Sequence, residues 1–197
     1  MSGREKFQKI KPIIIILSLL FSLLPKQFLN MKLKKIQAKE GKFAMLKRYC
    51  ILKNIAKSIG DNVSIHSNVY LINPQNLIIG NNVSIQPLCY IDAQGGITIG
   101  NDVSIAHGVT IMSTNHKYLD KVIPIKYQGL DEKKVVIEDN VWIGAKSTIL
   151  YGHTIGSGSI VGANCLVTKD IKKNEIVGGV PNKLIKNRLF YENKKGE

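Results

Sequence analysis

The chain has 197 residues, 44% of them hydrophobic, enough for one domain with a sizeable core and an appendage. Its three cysteines, Cys50, Cys89 and Cys165, form no CxxC pair, which favours reduced thiols in a cytosolic chain over a disulfide framework. The net charge of +14 is polarised: residues 1–60 hold 14 Lys and Arg against the two acids Glu5 and Glu40, whereas residues 61–197 hold 14 against 12. A basic arm of this kind points to an anionic surface; without an aromatic platform or reader motif beside the charge, membrane is favoured and nucleic acid is not expected.

Residues 1–58 form this arm. It carries "IIIILSLLFSLL" at residues 13–24, closed by Pro25 and Lys26. As a helix the stretch spans roughly 18 Å, short of about 30 Å of hydrocarbon. The following "PKQFLN" offers no small-x-small cleavage site. Downstream, "NMKLKKIQAKEGKFAMLKRYCILKNIAK" interleaves apolar residues with lysines, as membrane-surface helices do. The arm is therefore expected to be helical and to lie on an anionic membrane through residues 1–57. Packing within an oligomer is the alternative, and a spanning segment or cleaved signal the third reading.

From Ile59 a repeat takes over. Aliphatic anchors fall at Ile59, Ile65 and Leu71, at Ile79, Ile85 and Ile91, and at Ile99, Ile105 and Ile111. They resume at Ile137, Ile143 and Ile149, then Ile155, Val161 and Val167. Within each triplet the step is six residues, and "IGDNVS", "IGNNVS" and "IGNDVS" are nearly one hexapeptide. Such repeats build a parallel β-helix: each hexad is a short strand and a turn, three hexads make a triangular coil, and the anchor points into the prism. The fifth position also turns inward, as at Val63, Val83, Cys89 and Val103. The fold class is thus mainly β, a prism of about five coils over residues 59–171.

Three steps depart from six: eight residues from Leu71 to Ile79, eight from Ile91 to Ile99, and 26 from Ile111 to Ile137. All three follow the third hexad of a coil, so all bulge from one edge. With coils about 4.8 Å apart, "NPQN" and "DAQGG" should stack beneath the large loop, residues 112–136. That places His116 at the top of a site, with Asp92 and Gln94 about one coil below.

The stretch "STNHKY", the loop after it, and then "VWIGA", "VTKDI" and "GGVPNKLI" resemble the hexapeptide acyltransferases. The likeness covers about residues 59–188. It is nearest to the maltose/galactoside O-acetyltransferase branch and to bacterial surface-polysaccharide O-acetyltransferases. The resemblance implies a left-handed β-helix and acetyl transfer from acetyl-CoA to a sugar or glycan hydroxyl, with no metal. It implies His116 as general base, a role that suits a neutral imidazole facing a weakly acidic hydroxyl, and oxyanion donors among the backbone N–H groups near Trp142 to Ala145. Asn115, Asp92, Gln94 and Trp142 are the implied acceptor contacts. Trp142, Gly144, Ala145, Gly162, Ala163, Thr168 and Lys169 are those for the cofactor, and Lys183, Lys186 and Arg188 suit its phosphates. A homotrimer with sites between prisms is also implied, as is a C-terminal segment, residues 172–197, that turns at "GGVP" and ends in a short basic helix. One departure is His153, at an inward fifth position where the family has an aliphatic residue; a satisfied buried histidine is expected there.

These features favour an acetyl-CoA-dependent O-acetyltransferase of a bacterial surface glycan or its lipid-linked precursor, in the cytoplasm on the inner membrane face. A xenobiotic or amino-sugar N-acetyltransferase is the alternative, and a non-catalytic prism is a weaker one. A metal enzyme would need convergent histidines, whereas His107 falls on a different edge from His116.

Overall fold

The computed structural model describes residues 3–188. Three helices precede the prism: α1 (Gly3–Ser22), α2 (Lys26–Ile36) and α3 (Lys42–Ile55). The prism has three faces of parallel strands. The first is Ser58–Ile59, Leu77–Ile79, Ile97–Ile99, Val135–Ile137 and Thr154–Ile155. The second is Ser64–Ile65, Ser84–Ile85, Ser104–Ile105, Trp142–Ile143, Ile160–Val161 and Glu175–Gly178. The third is Tyr70–Ile72, Tyr90–Asp92, Thr110–Met112, Thr148–Ile149 and Leu166–Val167. Five coils are complete; Ile171, bridged to Ile155, and Glu175–Gly178 add two sides of a sixth.

The anchors fill the prism axis. Thirteen of the fifteen, from Ile65 to Val167, are at most 2% exposed, and the inward valines and Cys89 join them. Ile59 and Leu71 are only half-buried, because the first coil has no coil beneath it. Its open end is covered by α3, which buries Tyr49, Ile51, Leu52 and Ile55. A solenoid needs such a cap, since its terminal coil otherwise leaves core in water.

Arg48 locks this cap. It is 2% exposed, and its guanidinium donates to the carbonyls of Ile65, Ile36 and Lys39. Two of these carbonyls lie at or just beyond the C-terminus of α2, where a cation is favoured by the helix dipole. Burial pulls the Arg48 pKa below its usual value.

Helix α1 runs beside the lower prism. Lys11 pairs with Asp61 in the first coil and Arg4 with Asp102 in the third. Seven helical residues rise about 10.5 Å, close to the roughly 9.6 Å of two coil steps. The rest of α1 packs on α3 through Ile14 and Ser18, where Asn54 donates to the Ser18 carbonyl. No helix of the described residues is long and apolar enough to cross a membrane.

The basic stretch expected to enter a terminal helix is instead a strand. Lys183–Asn187 pairs antiparallel with Glu175–Gly178 after a reversal through Gly179. Glu175–Gly178 is the last parallel strand of the second face, and its open N–H and C=O groups offer the returning chain a ladder. The remainder of the expected helix, residues 189–197, lies outside the described residues.

Candidate active site

The three long connections do share one edge, between the third face and the first. The lowest holds a 3-10 turn, Pro74–Asn76; the next is the bulge at 93–96; above it the chain leaves at Ser113 and returns at Lys134. Hydrogen bonds tie the column vertically. Asn76 donates to the Gln94 carbonyl at 2.9 Å, and Gln94 Nε2 reaches Glu132 at 2.7 Å. Gly95 N–H donates to Ser113 Oγ, which donates to the Asp92 carbonyl. An added Cβ at Gly95 would lie 2.3 Å from the Ser113 carbonyl oxygen, so only glycine lets the loop sit this close.

The loop begins and ends as a two-stranded hairpin. Thr114–His116 pairs antiparallel with Leu130–Glu132, with His116 opposite Leu130. The tip is stapled by Gln128, whose Nε2 donates to the carbonyls of Asp120 and Ile123 while its Oε1 accepts from Asp120 N–H. The Asp120 carboxylate accepts the N–H groups of Val122 and Ile123, and these bonds hold its pKa below the usual range. Asn115 Oδ1 accepts the His116 N–H at 2.9 Å.

His116 is exposed and lines a cleft of about 650 Å³. Tyr118 and Tyr127 line it from the loop and Tyr151 from the coil above. Asp131 and Lys133 form an ion pair at 3.3 Å on its wall, with the Lys133 ammonium 5.0 Å from the Tyr151 ring centre. The hydrogen bond and charge of Asp131 raise the Lys133 pKa. Aromatic faces with a few fixed polar groups, beside an imidazole, suit a polar ligand with apolar C–H surfaces. Sequence reading passed over Tyr118, Tyr127, Tyr151, Asp131, Lys133 and Gln128. The one available signal was the pair "KYLD" and "KYQG" in an otherwise unpatterned loop.

The other sequence-derived candidates fall elsewhere. Asp92 caps its own turn, accepting from Gln94 N–H at 3.1 Å and facing Asn73 at 3.4 Å. Gln94 lines a second hollow with Lys57, Glu132 and Lys134, apart from the His116 cleft. Trp142 is 54% exposed on the second face, paired with Ser104 and Ile160. Two of the N–H groups expected to serve an oxyanion are already used: those of Trp142 and Gly144 donate to the Ser159 and Val161 carbonyls. The small size of Gly144 is likewise accounted for by stacking, since a Cβ there would meet the backbone of residues 161–163 at 2.6–2.7 Å. Ala145 and Gly162 are half-buried at this corner and Ala163 is exposed.

Thr168 and Lys169 are tied to the terminal turn by Asn182, a buried residue absent from the sequence-based reading. Its Oδ1 accepts from Thr168 N–H, and its own N–H donates to the Leu166 carbonyl. Lys183, Lys186 and Arg188 are exposed along the terminal strand and just after it, with Arg188 donating to the Gly158 carbonyl. His153 is a correction: it is half-buried at the open edge rather than inside the prism, with Nδ1 3.4 Å from Asp170. Asp170 also accepts the Thr154 N–H, which holds its carboxylate at that corner. Among the described residues no cluster of His, Cys, Asp or Glu could hold a metal ion.

Residues 134–169 match the family model described as bacterial transferase hexapeptide (six repeats). The galactoside O-acetyltransferase of Escherichia coli is 34% identical over 140 residues, covering 71% of this chain and 68% of that protein. The chain belongs to the hexapeptide-repeat acetyltransferases of the maltose/galactoside type. Within that family, the crystal structure of a maltose O-acetyltransferase from Clostridium difficile 630 superposes with a TM-score of 0.74 at 28% identity, covering 83% of this chain and 86% of that one. An E. coli O-acetyl transferase named for lipopolysaccharide biosynthesis, WbbJ, is 40% identical over 89 residues, but the match spans only 45% of its length.

Proposed function

We propose that this protein is an acetyl-CoA-dependent O-acetyltransferase that modifies a sugar hydroxyl of a bacterial surface polysaccharide or its lipid-linked precursor. The observation that carries the reading is His116, held by a hairpin and lining the tyrosine-walled cleft. The hexapeptide transferase family and the sugar-directed names of its relatives supply the reaction class. The likeness to WbbJ supports the glycan acceptor.

In this reading His116 is the general base. Its neutral imidazole takes the proton of the acceptor hydroxyl as that oxygen bonds to the acetyl carbonyl carbon. The carbon–sulfur bond then breaks, and the proton on His116 goes to the departing thiolate. Asn115 sets the backbone of His116, and the tyrosines and the Asp131–Lys133 pair orient the acceptor. Lys169, Lys183, Lys186 and Arg188 are exposed basic groups that suit the cofactor's phosphates, with the half-buried Thr168 beside Lys169. The protein acts in this reading as a homotrimer in the bacterial cytoplasm, with neighbouring prisms completing each site.

The test is thiol release from acetyl-CoA by the purified full chain, with a panel of mono- and oligosaccharides and NMR of the product. An O-acetyl ester on a sugar carbon supports the reading. Acetylation confined to amino sugars or to chloramphenicol-type compounds overturns it.

A further inference from the structure

The second half of α1 is apolar apart from Ser18 and Ser22, but only one side of it is covered. At about 100° per residue, Phe7, Ile14 and Ser18 fall on one narrow arc, which is buried against α3 and the first coil. Ile13, Ile16 and Leu20 lie on the opposite arc, flanked by Ile15 and Leu19, and Leu23 follows just past the helix end. Their exposure runs from 47% at Ile15 to 80% at Leu23. Phe28 and Met31 on α2 and Phe43 on α3 are also exposed. A helix apolar all round is stable only when both sides are covered. This much exposed apolar surface on one arm marks an interaction surface.

The charge around the patch identifies the occupant. No acid occurs between Glu5 and Glu40, and residues 12–25 carry no charge at all. Lys9 and Lys26 flank the apolar stretch in sequence, and Lys34, Lys35 and Lys42 follow on α2 and α3, all exposed. The Lys32 ammonium lies 4.9 Å from the Phe28 ring centre and the Lys47 ammonium 4.3 Å from that of Phe43, so each cation sits over an exposed aromatic ring. Lysines interleaved with exposed aromatic and aliphatic residues are the pattern of a membrane-surface helix. A second copy of this chain would bring an equally basic arm against the first, and like charges repel; an anionic lipid surface neutralises them.

We infer that the free face of α1, with Phe28, Met31 and Phe43, docks the protein onto an anionic lipid surface. The docking uses the base of the prism and not the His116 edge, so it stands or falls separately from acetyl transfer.

The test uses the full chain with vesicles of phosphatidylglycerol and phosphatidylcholine in equal parts, and with vesicles of phosphatidylcholine alone. Flotation measures the bound fraction, and sedimentation without lipid measures the oligomeric state. Wild type is expected to float with the anionic vesicles and to be released as salt shortens the Debye length. The Ile16→Asp/Leu20→Asp double variant, altered only at exposed positions, is expected to lose at least about tenfold in partitioning. It should keep the wild-type melting temperature, oligomeric state and thiol release with a water-soluble acceptor. Equal flotation of the double variant overturns the docking. So does failure of wild type to float, or dissociation of the oligomer by the two aspartates, which would assign the face to a second copy.

Discussion

At the edge after the first face, every coil turns in the same way. A polar column runs up it: Asn81 Oδ1 accepts from Asp61 N–H, Asn101 Oδ1 from Asn81 N–H, and Asp139 Oδ1 from Asn101 N–H. Beside them Asn62, Asn82, Asp102 and Asn140 take φ of 54–57°, a left-handed turn that short polar side chains tolerate. At the edge after the third face the same repeat is interrupted in each of the three lower coils, and the third interruption carries His116. One edge spends its polar groups on joining coils. The other leaves a histidine, three tyrosines and an ion pair facing a cleft. A repeat can therefore open a site at one corner without loosening the core, provided the insertion stays in phase.

The largest test of this contrast is to replace residues 113–134 with the short bulge of the coil below. Acetyl transfer should vanish while cooperative melting persists, because Val135–Ile137 still pairs with Ile97–Ile99. Transfer that survives would move the site to another edge. Next, Gln128→Ala removes the staple of the loop tip and should lower kcat/KM about ten- to a hundredfold, with the melting temperature unchanged within about 2 °C. The closed edge should behave oppositely. A Cβ at Gly100 would lie 2.3 Å from Asp139 Oδ1 and 2.9 Å from its N. Overpacking of this kind costs about 1–3 kcal/mol, so Gly100→Ala should lower Tm by roughly 3–10 °C and leave the activity of the folded enzyme near wild type.

The smallest effect is electrostatic. Glu138 accepts hydrogen bonds from Ser157 N and Oγ, both 2.8 Å, and these hold its pKa below the usual value. A depressed carboxylate stabilises the fold above its unfolded pKa of about 4.3, and the contribution is lost as pH falls through the lower folded value. Glu138→Gln should thus lower Tm by about 2 °C at pH 7. The gap between the two proteins should close in acid.

The prism was legible because burial repeats with the chain: Ile65, Ile85, Ile105 and Ile143 stack on one face at one hexad position. The phase of the long connections was legible for the same reason. What the repeat does not govern was not. The hairpin of Thr114–His116 with Leu130–Glu132 has no period, and the cleft it frames depends on Tyr151 from another coil. The bond from Gln94 N–H to Asp92 Oδ1, which fixes the bulge, likewise has no period. Lys183–Asn187 reads as a basic tail, and only the unpaired strand beside it makes it a strand.

The central claim is that His116 acts as the base at the opened edge while contributing nothing to the prism. The direct measurement is kcat/KM for sugar acetylation and Tm, both on the same preparation of His116→Ala. Loss of a general base predicts a fall of about 10²–10⁴-fold with Tm within about 2 °C of wild type. An alanine variant that transfers acetyl at the wild-type rate, or loses activity only because it unfolds, would contradict the account.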